Sequence, residues 1–94
     1  MIFNVVSKDM LKDYVIFREV QLNYEIKGQW TIDLVITPPE IKGYKMVGSK
    51  GRYTSSTDVV FIDVNWCNVR LKNLSTEDLT DRTLCVDCIY IRDL

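Results

Sequence analysis

Histidine is absent from this chain. That single absence removes Ser-His-Asp and Cys-His triads, histidine general bases and His-x-x-x-His zinc sites. An enzyme is therefore not expected, and no cofactor is implied. Cysteine is scarce and odd in number: Cys67, Cys85 and Cys88. Small secreted domains carry denser, even sets. The first residues, M-I-F-N-V-V-S-K-D, lack the basic start and long apolar block of a signal peptide. No apolar run approaches the roughly 20 residues needed to cross a bilayer. These observations together predict a cytoplasmic chain with no membrane association. Charge is nearly balanced, with 12 basic against 13 acidic residues and a net charge of −1. The chain as a whole thus has no electrostatic footprint for nucleic acid.

What is present is a β pattern. Ninety-four residues, 47% hydrophobic and 27% charged, suit one domain over 1–94 with a single core. The stretch from Val20 to Ile36 alternates apolar and polar residues on both sides of Lys27-Gly28. Val20, Leu22 and Tyr24 share one face, and so do Trp30, Ile32 and Leu34, as in two half-buried strands. The pattern predicts a hairpin with a three-residue loop, Ile26-Lys27-Gly28. Glu25 then faces Gln29, Tyr24 faces Trp30, Leu22 faces Ile32 and Val20 faces Leu34. Gly28 would supply the left-handed position of a G1 bulge.

Along the rest of the chain, Ile2 to Val6 reads as a first short strand. Tyr14 to Phe17 is apolar on both faces and leads into a strand running to Glu25. Pro38 and Pro39 stop the second hairpin strand. The segment 38–57 holds three of the four glycines, and the spacing predicts a secondary hairpin, Tyr44–Val47 against Arg52–Thr54, turning at 48–51. Val59 to Trp66 is a strong strand with Val60, Ile62, Val64 and Trp66 on one face. The phase flips near Cys67-Asn68, which requires a bulge there or a break into two strands. Ser75 with Asp78 three residues on resembles a helix start over Ser75–Asp81. Leu84 to Ile91 is the last strand.

The expected fold is therefore all-β: a small antiparallel β-sandwich or partly open barrel of six to seven strands with one short helical turn. The alternative is α+β with an N-terminal helix at about 7–17, because Met10, Leu11, Tyr14 and Val15 also approximate a helical stripe.

Three constellations bear on function. Cys85-Val86-Asp87-Cys88 resembles a metal knuckle, but the only other thiol is Cys67 and the C-x-x-C lies in a strand pattern. A strand places its two thiols on opposite faces, so packing is the expected role and no metal site is assigned. Asp33, Asp63 and Asp87 fall on polar strand faces, as solvated positions do. Trp30, Trp66 and Tyr24 read as core aromatics. The segment 40–56 interleaves Lys42, Lys45, Lys50 and Arg52 with Tyr44 and Tyr53. Those six residues are the candidate partner-binding set.

The expected function is a non-catalytic protein-interaction module, such as an inhibitor, adaptor or accessory protein, binding through that loop. Two alternatives follow from other features. Residues 1–56 carry eight basic and six acidic residues (+2), whereas 57–94 carry four and seven (−3). This asymmetry would suit a self-assembling structural subunit. Interleaved cations and tyrosines would suit a single-stranded nucleic-acid module, the least expected of the three. Chains of this kind are often accessory proteins of phages or other mobile elements, a background that no residue here carries.

Overall fold

A computed structural model describes residues 14–93. Six strands make up its regular structure: β1 (Val15–Ile26), β2 (Thr31–Val35), β3 (Tyr44–Thr54), β4 (Val59–Asn65), β5 (Asn68–Asn73) and β6 (Leu79–Arg92). They form two antiparallel three-stranded sheets, ordered β1-β6-β3 and β2-β5-β4. The all-β expectation holds, as does a small sandwich. The expected first strand, and residues 7–13 of the alternative helix, lie outside the described residues. Within the described part of that alternative, Tyr14 has helical backbone and Val15–Phe17 are strand.

The core lies between the sheets. Tyr24, Ile26, Leu84, Val86, Cys88 and Tyr90 of the first sheet pack with Ile36, Val59, Val69 and Leu71 from the second sheet and its flank. Even-numbered positions of β1 from Val20 on and of β6 from Arg82 to Tyr90 point inward, as alternation requires. The first sheet is the longer of the two, so its far end overhangs the second. The segment 36–41, around Pro38-Pro39, packs against the core there, with Ile41 beside the core cluster. Ile36 is buried and donates its N–H to the Cys67 carbonyl at 2.8 Å, and Tyr90 Oη donates to the Pro39 carbonyl at 2.6 Å.

The predicted hairpin does not form. β1 pairs with β6 (Val20 with Val86, Leu22 with Leu84, Tyr24 with Arg82), while β2 pairs with β5 (Ile32 with Leu71, Leu34 with Val69). The turn at Lys27–Trp30 is an arch from one sheet to the other. Alternation tells which side of a strand is apolar, and an arch satisfies it as well as a hairpin does. In the arch the two apolar faces meet across the core. β1 also gains a partner as long as itself, which the five-residue β2 could not provide. The left-handed residue is Gln29 (φ 66°), not Gly28. Gly28 is needed for a different reason: a Cβ there would collide with the Thr76 carbonyl oxygen.

The secondary hairpin over 44–54 is likewise absent. β3 is one strand along β6, interrupted by register shifts between Met46 and Gly48 and between Gly51 and Tyr53. Glycines within a strand mark bulges and close approaches. At Gly51 a Cβ would stand 2.9 Å from the Phe61 ring of β4. The phase flip is resolved by a hairpin turning at Trp66-Cys67, with Asn65 opposite Asn68, and by a bulge between Phe61 and Asp63.

No helical turn forms over Ser75–Asp81; β6 already begins at Leu79. Asn73 explains this. Its side chain is fully buried. Its amide nitrogen donates to the carbonyls of Glu77 at 2.8 Å and Lys27 at 3.3 Å. Its oxygen accepts from Ser75 N at 2.9 Å and Ser75 Oγ at 2.8 Å. The Ser75 hydroxyl also accepts Glu77 N–H at 3.3 Å, but the Glu77 carbonyl that would enter a helical ladder is taken by Asn73, so the loop is wrapped around one amide. Asp78 caps the neighbouring turn instead, accepting Gly28 N–H at 2.9 Å.

Three outcomes in urea unfolding test this junction. Gly28→Ala should destabilise by about 1–3 kcal/mol through overpacking against backbone, whereas Gln29→Gly should be neutral or stabilise by up to about 1 kcal/mol by relieving the left-handed position. Asn73→Leu should cost about 2–3 kcal/mol, because it orphans several backbone groups at once.

Candidate functional site

The outward face of the β1-β6-β3 sheet is built in rows, because directly paired residues share a face. One row is Val15, Ile91 and Lys45, and the next is Phe17, Ile89 and Gly48. Then come Glu19, Asp87 and Lys50, followed by Gln21, Cys85 and Tyr53. The face therefore passes from an apolar band to a charged row to a polar row. Phe17 is 58% exposed, and Val47, extruded by the first β3 bulge, is exposed on the opposite edge strand of the sheet.

The charged row is internally compensated. Arg52 Nη1 reaches Glu19 Oε2 at 3.3 Å and Asp87 Oδ1 at 3.8 Å. The Glu19 carboxyl is held below its ordinary value, first by the Cys85 thiol that donates to it, then by the Gln21 amide at 3.3 Å, with Arg52 adding to both. Burial pushes the Cys85 thiol up. Cys85 has no exposed surface although it points away from the core. The side chains of the surrounding row cover it.

Of the six candidate residues, four come together. Lys45, Lys50 and Tyr53 lie on this outward face along β3, and Arg52 reaches onto it from the second bulge. Lys42 is exposed in the turn before β3. Tyr44 does not join them: it is half-buried and packs against the core cluster. The segment is a sheet edge rather than a free loop, because β6 offers it an extended partner along its whole length.

Cys85 and Cys88 lie on opposite faces, Cys88 within the core cluster and Cys85 outside it, as strand geometry requires. All three cysteines are free thiols. Asp33, Asp63 and Asp87 are on outward faces, and Arg70 Nε meets Asp33 Oδ1 at 2.7 Å. That hydrogen bond, with the guanidinium charge, lowers the Asp33 pKa. Tyr24 is a core aromatic, but Trp30 and Trp66 are not; they stand 55% and 50% exposed. Trp66 occupies the tip of the β4–β5 hairpin with a left-handed backbone (φ 56°), and its carbonyl accepts from Ser49 Oγ at 2.7 Å. A tip has no opposing layer to bury an indole, whatever the phase of the strand leading into it.

The residues that sequence reasoning missed are Val15, Phe17, Val47, Ile89 and Ile91. A signal existed for most of them. Apolar residues at both parities, in Val15-Ile16-Phe17 and in Ile89-Tyr90-Ile91, exceed what one buried face requires.

No family model, no curated protein and no solved structure matches this chain.

Two measurements check these thiols and carboxylates. In the native protein, iodoacetamide should modify the half-buried Cys67 before the buried Cys85, and Tyr53→Ala should raise the Cys85 rate without changing that of Cys88, as read by peptide mass spectrometry. The Glu19 and Asp33 carboxyls have folded-state pKa values below their free values of 4.5 and 3.8. Their contribution to stability is therefore present above those free values and lost as pH falls through the lower, folded ones. Glu19→Gln together with Asp33→Asn should flatten the acid limb of the stability curve.

Proposed function

We propose that this chain is a non-catalytic protein-interaction module, of the inhibitor, adaptor or accessory class, and that contact is made through the outward face of the β1-β6-β3 sheet. The observation that carries the reading is the apolar band of Val15, Phe17, Ile89 and Ile91, with Val47 beside it and a charged row next to it. An apolar band edged with charge is the arrangement of a protein contact, in which aromatic anchors supply affinity and polar neighbours supply specificity. Lys45, Lys50, Arg52 and Tyr53 form that border, and Lys42 extends it.

The charge pattern favours a protein over nucleic acid. The Arg52 guanidinium is already shared between Glu19 and Asp87, and a strand of phosphates laid on this face would meet both carboxylates. The same pairing favours binding over acid–base chemistry, because the Glu19 carboxyl is held below its ordinary value. Three unpaired thiols suit a reducing compartment such as the cytoplasm.

The test compares partner recovery from the native host by the wild-type chain and three variants. Phe17→Ser and the Lys45/Lys50/Arg52→Glu triple variant should each lose the partner. Asp33→Asn, on the opposite face, should keep it. Recovery unaffected by both face variants would overturn the assignment. Light scattering across concentration separates the runner-up: a wild-type oligomer that Phe17→Ser makes monomeric would identify the chain as a self-assembling subunit.

A further inference from the structure

At the arch that joins β1 to β2, the two sheets leave a cleft of about 240 Å³. Ile26 and Leu79, both buried, form its floor together with Ile32. The half-exposed indole of Trp30 forms one wall. Glu25 and Asp78 line the same space, against a single cation, Lys27. Asp78 keeps one oxygen on the Gly28 N–H at 2.9 Å. Among the described residues Glu25 forms no ion pair.

The chain itself shows what this wall attracts. The Lys27 ammonium lies 5.1 Å from the centroid of the Trp30 ring. A cation over an indole face is drawn by the ring quadrupole, and tryptophan is the best of the aromatic side chains for it.

We propose that this cleft receives an arginine side chain from a partner protein, with its guanidinium stacked on Trp30 and paired with Glu25, and its methylene stem on Ile26, Ile32 and Leu79. Four features of the site fit that ligand. The carboxylates outnumber the cation, so the cleft favours a positive group. A planar, weakly hydrated guanidinium stacks on an indole where an ammonium only touches it. An apolar floor beneath a charged rim matches a side chain with an apolar stem and a charged head. The volume lies below the roughly 300–1,000 Å³ of clefts that hold drug-sized ligands and suits one long side chain. Lys27 acts as a resident competitor on the same ring, displaced toward solvent when the arginine enters. Ile26 and Phe17 lie nine residues apart on β1, about 30 Å along an extended strand. The cleft is therefore separate from the contact face proposed above and does not rest on it.

The probe is the peptide acetyl-Gly-Arg-Gly-amide, with its citrulline counterpart as the uncharged isostere. Binding is read from the indole N–H resonances in nitrogen-15 correlation spectra, with Trp66→Phe assigning the two. The arginine peptide at millimolar concentration should shift the Trp30 signal saturably and leave Trp66 unmoved. The citrulline peptide should bind several-fold more weakly. Lys27→Ala should tighten binding of the arginine peptide roughly two- to five-fold by freeing the ring, and Glu25→Gln should weaken it. Both variants change exposed side chains and leave the core intact, so the test does not depend on a Trp30 variant folding. Equal binding of the two peptides, absence of a saturable Trp30 shift, or unchanged or weaker binding by Lys27→Ala would each overturn the proposal.

Discussion

One buried amide holds the corner on which the two sheets depend. Asn73 ends β5, and its side chain reaches the β1–β2 arch and the β5–β6 loop at once. Backbone bonds surround it: Asn73 N–H to the Trp30 carbonyl at 3.0 Å, Gln29 N–H to the Ser75 carbonyl at 2.9 Å, and Leu74 N–H to the Asp58 carbonyl at 2.7 Å. Two chain crossings therefore share one polar centre. A fully buried amide is costly unless its donors and acceptor are satisfied. Here they are, so the cost becomes a preference for one geometry. Gly28 belongs to the same corner, since only a residue without Cβ lets the arch lie against Thr76.

That corner also shapes what the molecule presents to its surroundings. Because β1 turns away from β2 in the ladder sense and pairs with β6 instead, its odd-numbered side chains join those of β6 and β3 on a broad outward face. The apolar surplus at the ends of β1 and β6 then becomes one contiguous band. Because the arch brings Trp30 to the open flank rather than beneath a second layer, the indole becomes a cleft wall. Both surfaces are consequences of strand partnership, and each carries a hydrophobic element edged with charge.

Electrostatics on the outward face is local. Glu19, Arg52, Asp87 and Lys50 gather in or beside one row, and the thiol of Cys85 lies next to them without exposed surface. Of the basic residues along 40–56, Arg52 is thus answered in space by acids from β1 and β6, and Lys50 lies in register with one of them. A charge count along the chain and a charge balance on a face are different quantities, because alternate residues of a strand point to opposite sides and neighbours on a face come from distant positions.

The sequence by itself determined the class and the sidedness of the strands. Alternation in Val20–Tyr24 and Ile32–Leu34, the stop at Pro38-Pro39, the phase flip near Cys67 and the opposed faces of Cys85 and Cys88 follow from a period of two and from proline chemistry, which act over a few residues. Only the tertiary structure decided which strand pairs with which, and it did so against the local reading at 20–36 and 44–54. It also decided that Asn73 would take the Glu77 carbonyl from the expected helix, that Trp30 and Trp66 would stand outside the core, and that four of the six candidate residues would share a face while Tyr44 turned inward. The physical reason is common to all of these. A strand's pattern specifies a face and not a neighbour, and the choice of neighbour depends on matched length, on shape at Gly28 and Gly51, and on satisfying polar groups that lie 40 or more residues apart in the chain.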